Sequence, residues 1–344
     1  MKILFVQPGC PEYRYKFFEL MSEKFKGMGI LHFWDNCFDK NSNFLIDELN
    51  TSKFSFKGIH IIKKLELLID PYDVIVVGFD PHWINAFLLP LISKKKIVYW
   101  GHGLGKNWAM RLFRLSMFKS SSALVTYNEY DRNVLVTDKG LDGKKIFTAN
   151  NTIHINNSED LSNSDKKYFL YVGRLQLRKE LDLVIRCIAK LKNLGVDALF
   201  YILGDGEVEK KRLLSLSKEL EIESQIKFLN GTTDDIILKN VFRNAIAYIS
   251  PGHVGLGVLH SFAYGVPVIT FKERDHAPEF HNIVNKVNGF ISNEEDLKSI
   301  LTMPKNRFQE MGARAFIHYR DNASISLMVN GFVQAINFAS NDPN

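Results

Sequence analysis

The chain is 344 residues long, 46% hydrophobic and 24% charged, with a net charge of +6. This length supports about two domains with cores of their own, and the composition excludes a disordered, collagen-like or disulfide-dense chain. The positive excess is spread, with 21 Lys and Arg against 17 Asp and Glu in residues 1–160 and 23 against 21 in the rest, so it suits meeting phosphate on a substrate or an anionic membrane rather than nucleic acid.

The first apolar run, residues 3–7, is broken by Pro8-Gly9, too soon for a signal peptide, and reads as a buried strand. Further β-rich runs are expected at 74–78, 97–100, 123–127 and 146–149. Helical stretches at 15–25, 81–91, 108–118 and 129–137 separate them. Strand-helix alternation argues for a parallel sheet covered on both faces. The Asn/Ser-rich stretch 156–165, NNSEDLSNSD, reads as a linker. Beyond it the alternation restarts, with strands at 168–173, 198–204, 226–229, 245–250 and 266–271 and helices at 181–194, 207–220, 234–242 and 256–264. A last apolar helix, 324–339, has no strand after it. The expected fold is α/β, with two doubly wound, Rossmann-like domains facing a cleft: residues 1–160, residues 161–322, and a closing helix, 323–344, that packs back on the first domain. Cys10, Cys37 and Cys187 are scattered and odd in number, which fits a reducing cytoplasm, and no run approaches the roughly 20 apolar residues of a membrane span.

In open α/β sheets ligands bind beyond the carboxyl ends of strands. Four strand-end loops of the second half suit one kind of ligand. Gly173-Arg174-Leu175-Gln176-Leu177-Arg178-Lys179 places Arg174 and Lys179 five positions apart, so that both can reach one diphosphate. Gly204-Asp205-Gly206 and Leu229-Asn230-Gly231 are turn sequences that are weak signals alone. The run from Ser250 to Ile269, SPGHVGLGVLHSFAYGVPVI, combines a glycine-rich turn with a helix start able to face phosphate.

Taken together, these motifs resemble the retaining glycosyltransferases of family 4, which have the GT-B fold. The likeness is strong over about residues 168–291 and holds only in outline before them. It implies that Arg174 and Lys179 hold and stabilise the donor diphosphate without a metal or other cofactor. It implies that Gly173, Asp205, Gly252, His253, Val254, Gly255 and Leu256 shape the donor site, with the amides of Val254, Gly255 and Leu256 turned to phosphate and sugar. Leu229, Asn230 and Gly231 would flank the base of a UDP- or GDP-linked sugar. The family's Glu-x7-Glu pair is replaced by Gly252 and His260, and His260 is left to reach a ribose hydroxyl. Glu279, in Asp275-His276-Ala277-Pro278-Glu279, suits either the donor pocket or a helix start.

In the first half, His102 lies between Gly101 and Gly103 at a strand end and matches the histidine that family members place beside the donor sugar. Gly9, Tyr13, Arg14, Gly101 and Gly103 form the expected acceptor side. The stretch from Trp108 to Lys119, WAMRLFRLSMFK, reads as a basic amphipathic helix for an anionic membrane or as a core helix with a basic edge. The expected activity is transfer of a sugar from a nucleoside-diphosphate donor to a glycan or lipid-linked glycan hydroxyl. The setting is bacterial surface-polysaccharide assembly in the cytoplasm, at the inner face of the membrane. The rivals are a non-catalytic nucleotide-sugar-binding subunit and a GT-B nucleotide-sugar 2-epimerase. A dehydrogenase is set aside because no Gly-x-Gly-x-x-Gly follows the first strand.

Overall fold

The computed structural model describes residues 1–7, 11–31, 47–48, 53–101, 103–104 and 108–341. It divides into two compact units, Met1–His154 with Ser324–Asn344, and Ile155–Ala323. The boundary falls six residues before position 160, and the Asn/Ser-rich stretch is no free linker. The amides of Glu159 and Leu161 donate to the carbonyls of Ala263 and Tyr264, and Leu161 and Ser162 are buried. Polar composition there reflects a loop held by its backbone.

The first unit opens with β1 (Lys2–Val6), α1 (Tyr15–Lys24), β2 (Gly27–Leu31), β3 (Asp47–Glu48), β4 (Lys53–Phe56) and β5 (Ile59–Ile62). It continues with α2 (Leu65–Ile69), β6 (Val74–Gly78), α3 (Ile84–Phe87), α4 (Leu89–Ile92) and β7 (Lys96–Gly101). Then follow α5 (Trp108–Ser120), β8 (Ala123–Thr126), α6 (Glu129–Asn133) and β9 (Ile146–Thr148). The second unit runs through β10 (Tyr168–Val172), α7 (Leu181–Lys192), β11 (Phe200–Leu203), α8 (Glu207–Glu219), β12 (Ile226–Leu229) and α9 (Asp235–Arg243). It closes with β13 (Ala245–Ile249), α10 (Gly257–Phe262), β14 (Val268–Phe271), β15 (Gly289–Ser292), α11 (Glu294–Leu301) and α12 (Lys305–His318). The last helix, α13 (Ile325–Asn341), returns to the first unit.

The two large sheets are wholly parallel, ordered β3-β2-β1-β6-β7-β8-β9 and β12-β11-β10-β13-β14-β15, and β4 and β5 form a separate antiparallel hairpin. Strands covered on both faces must be apolar throughout, which is why VIVV and IVYW read so clearly. In the first sheet alternate residues divide between two cores. Ile3 and Phe5 join Phe17, Phe18, Trp100 and Phe332 on the α1/α13 face, while Leu4 and Val6 join Phe87, Tyr99 and Phe118 on the α3–α5 face. Helix α13 belongs there because Met328, Phe332, Ala335, Ile336 and Ala339 repeat at helical spacing and are fully buried. Burial of this stripe contributes about 1.5–3 kcal/mol per large side chain and selects the face that α13 turns to the sheet.

The expected helix 81–91 is split into α3 and α4, because Pro90 has no N–H to continue the ladder. Each sheet reverses strand order next to its first strand, between β1 and β6 and between β10 and β13. Ligand crevices form beyond the carboxyl ends at such switch points. In the second unit those ends carry Gly173 and Ser250.

Candidate functional site

The loop after β10 and the loop after β13 are bound to each other through backbone. The Gly252 N–H donates to the Lys179 carbonyl (3.1 Å), and the His253 N–H to the Arg178 carbonyl (2.9 Å). A Cβ at position 252 would stand 2.0 Å from the Arg178 carbonyl oxygen, so only glycine allows this approach. Gly204 plays the same part between β11 and β10, since a Cβ there would lie 1.8 Å from the Gly173 carbonyl oxygen. Asp205 accepts the Gly231 N–H at 3.0 Å and so ties the Gly204-Asp205-Gly206 turn to the turn after β12. Its carboxylate holds the Leu229–Gly231 loop. Asn230 is exposed there, and Leu229 and Gly231 are half-buried.

Lys179 is half-buried and donates one N–H to the His253 carbonyl at 2.6 Å. Burial, and then the charges of Arg178 and Arg174, push its pKa down to about 8, against the pull of Glu279. Glu279 is itself 3% exposed. Arg178, bonded through Nε to Gln176 at 2.8 Å, is therefore a third cation of this loop that the motif reading passed over. Arg174 is exposed, and its carbonyl accepts from the Tyr171 hydroxyl at 2.8 Å. Arg274 pairs with Glu180 at 2.7 Å, fixing the far end of the loop. Two arginines acting on one half-buried lysine make this loop a candidate anion site.

An anion binds the ammonium form and raises its pKa. Affinity for a nucleoside diphosphate should therefore be full below pH 8 and fall by up to about tenfold per pH unit above it. Calorimetry in buffers of different ionisation enthalpy should show proton uptake on binding near pH 8.5.

The glycine-rich turn departs from expectation at two places. The Val254 N–H donates to Nδ1 of His276 (3.2 Å), whose Nε2–H donates to the Phe271 carbonyl (2.6 Å). Val254 is thus held by protein, and of the three amides expected to meet phosphate only those of Gly255 and Leu256 have no acceptor among the described residues. His276, kept neutral by burial, gave no local sequence signal for this role. His253 is also shifted down by burial, and its Nδ1–H donates to the Asp275 carbonyl at 2.5 Å. His260 lies with ring centroids 5.0 Å from Phe242 and 5.7 Å from Tyr264, and burial pushes its pKa down to about 4. Its Nε2 is buried with no hydrogen-bond partner among the described residues. It is uncharged at neutral pH and sits among aromatic rings.

In the first unit, Gly9 and His102 lie outside the described residues. Tyr13 is 39% exposed, but Arg14, expected on the acceptor side, is only 4% exposed. Its guanidinium lies 4.5 Å from the Trp100 ring centroid, 3.6 Å from the Met328 sulfur and on the Asn151 side-chain oxygen. Arg14 is a buried clamp between α1 and α13. Arg114 likewise turns inward from α5, donating to the Gly103 carbonyl at 3.2 Å and lying 4.4 Å over Phe79. The Asp131 carboxylate also lies close beside Gly103. Gly101 abuts Phe79, so the ends of β6 and β7 are packed together.

Two doubly wound parallel-sheet units are the architecture of the GT-B fold. Residues 154–302 match the family of glycosyl transferases group 1. The chain is 27% identical over 272 residues to an uncharacterized glycosyltransferase of Haemophilus influenzae, covering 74% of this chain and 72% of that one. It is 25% identical over 224 residues to Protein CapJ of Staphylococcus aureus, covering 63% of this chain and spanning only 52% of CapJ. In fold it is similar to a glycosyltransferase from Rickettsia africae (TM-score 0.74, 17% identity, 99% of each chain). It is as similar to Anabaena HepE in complex with UDP (TM-score 0.74, 15% identity, 98% of this chain and 100% of that one). Among the described residues no helix is long and apolar enough to cross a membrane.

Proposed function

We propose that the protein transfers a sugar, with retention of configuration, from a nucleoside-diphosphate sugar to a hydroxyl of a glycan or lipid-linked glycan in surface-polysaccharide assembly. The observation that carries the reading is the half-buried Lys179, within electrostatic reach of Arg178 and Arg174, on a loop bonded to the glycine-rich turn at the switch point. As the bond to the sugar breaks, negative charge grows on the leaving diphosphate, and fixed cations there lower the barrier. This role needs no metal. Gly255 and Leu256 offer amides to the phosphate or sugar, Leu229 to Gly231 flank the base, and His102 is assigned the place beside the donor sugar on the family likeness. HepE has been seen with UDP-glucose and CapJ resembles this chain in part, which favours a UDP-linked donor and a capsule-like product. Catalysis is assigned to the cytoplasmic face of the membrane, with α5 as one contact. Its Trp108 is 74% exposed and its Leu112 60%.

One observation favours a second reading. Gly252 and His260 stand where the family places two glutamates, as they would in a non-catalytic nucleotide-sugar-binding subunit. A melting-temperature screen against UDP, GDP, dTDP and CMP tests the shared donor site. One diphosphate at about 100 times its dissociation constant should add about 2.7 kcal/mol of stability. No shift with any of them would exclude both readings.

A further inference from the structure

We propose that the β4–β5 hairpin docks the protein on an anionic lipid bilayer by inserting one of its faces among the lipids. The inference deepens the membrane part of the reading above and takes nothing from the donor site. In the antiparallel ladder Phe54 pairs with Ile61 and Phe56 with Ile59, so these four side chains share one face. All are exposed, by 55%, 40%, 60% and 47% in that order. The other face fastens the hairpin to the first unit. The His60 N–H donates to the His82 carbonyl at 2.7 Å, and its ring lies 4.7 Å from that of Trp83. Ile62 exchanges two hydrogen bonds with the Asn85 side chain, at 3.0 and 2.8 Å. A two-stranded ribbon is marginal on its own in water, so these contacts keep the apolar face turned outward. Four large apolar side chains held together in water mark a contact surface.

Charge selects the occupant. Lys57 in the turn and Lys63 and Lys64 after β5 adjoin the face, Lys53 lies 5.4 Å over the Trp83 ring on the fastening side, and residues 49–65 contain no Asp or Glu. The hairpin packs on α3, α3 on α4 and α4 on α5, all on one face of the sheet, and residues 81–96 and 108–120 also lack Asp and Glu. The acids nearest these elements are Glu66 of α2, Asp70 just after it, and Asp80, which is paired with His82 at 2.7 Å. A second copy of the chain would bring lysines against lysines, whereas anionic headgroups complement them. The anchoring residues His82 and Trp83 continue from Phe79, which abuts Gly101. Docking would thus hold the acceptor-side loops at headgroup depth, where a lipid-linked phosphate lies.

Sedimentation with vesicles of phosphatidylcholine, with and without phosphatidylglycerol, tests this in the full-length protein. Binding should require phosphatidylglycerol and fall with salt. Phe54→Ser with Phe56→Ser should weaken it at least about tenfold, and Lys57→Glu or Lys63→Glu about fivefold each, with melting temperatures unchanged. Trp108→Ser should weaken it less than the phenylalanine pair. The hairpin variants should keep any stabilisation by nucleoside diphosphate that the parent shows, so failure of the donor reading and failure of this one are told apart. Indifference of the parent to phosphatidylglycerol, hairpin variants that bind like the parent, or dimers of the parent that the phenylalanine variant abolishes would overturn the proposal.

Discussion

Lys179→Ala is expected to lose stabilisation by nucleoside diphosphate and to lower turnover by about 10²–10³-fold, the usual cost of removing one group that faces developing charge. The side chain's position explains the size of the effect. Its ammonium is half-buried, anchored by one bond to the His253 carbonyl, and flanked by two arginines that cannot release their protons. Losing that anchor leaves a carbonyl short of one donor, about 1–3 kcal/mol, so the variant still folds. Arg178→Ala should weaken binding less, because Gln176 holds its guanidinium through Nε. Equal nucleotide affinity in Lys179→Ala and parent, measured by calorimetry at pH 7, would remove the diphosphate site from this loop.

Gly252→Glu is the second large effect, and its direction opposes simple family logic. By the family likeness alone, a glutamate at this position is expected to raise activity. In this chain the first side-chain carbon would meet the Arg178 carbonyl oxygen at 2.0 Å and the Lys179 carbonyl carbon at 3.0 Å. Those atoms are backbone, and the same stretch carries Lys179, so relief of the clash must displace the cation. Overpacking of this kind costs about 3 kcal/mol, or about 6–12 °C in melting temperature for a unit of this size. Donor binding should be lost as well. Gly252→Ala should share the sign, since the clash begins at Cβ. A Gly252→Glu protein that melts like the parent and turns over faster would show that the two loops are not locked together as described.

The parallel sheets were legible because strands buried on both faces leave unbroken apolar runs, as in VIVV and IVYW. Strand β2 was missed because its two glycines in GMGIL carry no strand preference, and β15 because GFIS is too short to show a period. In the hairpin, alternation was present in KFSF, but one face meets Trp83 and the other meets solvent, so hydrophobicity did not mark a core. At the site, spacing along one loop gave Arg174 and Lys179. His276 reaches Val254 only because β14 brings the chain back, 22 residues later in sequence. Arg14 misled because residue type argues for solvent, while its contact with Met328, 314 positions away, lies beyond any local pattern.

By this account the cation-rich loop drives departure of a diphosphate from a sugar. The most direct measurement is release of nucleoside diphosphate from a panel of UDP- and GDP-sugars by the purified protein, in the absence of acceptor, alongside Lys179→Ala. Slow release from one donor by the parent, lost in the variant, is the predicted result. Tight binding of a diphosphate with no release from any donor, even after extracted lipid-linked glycans are added, would contradict it and leave a binding subunit in place of a transferase.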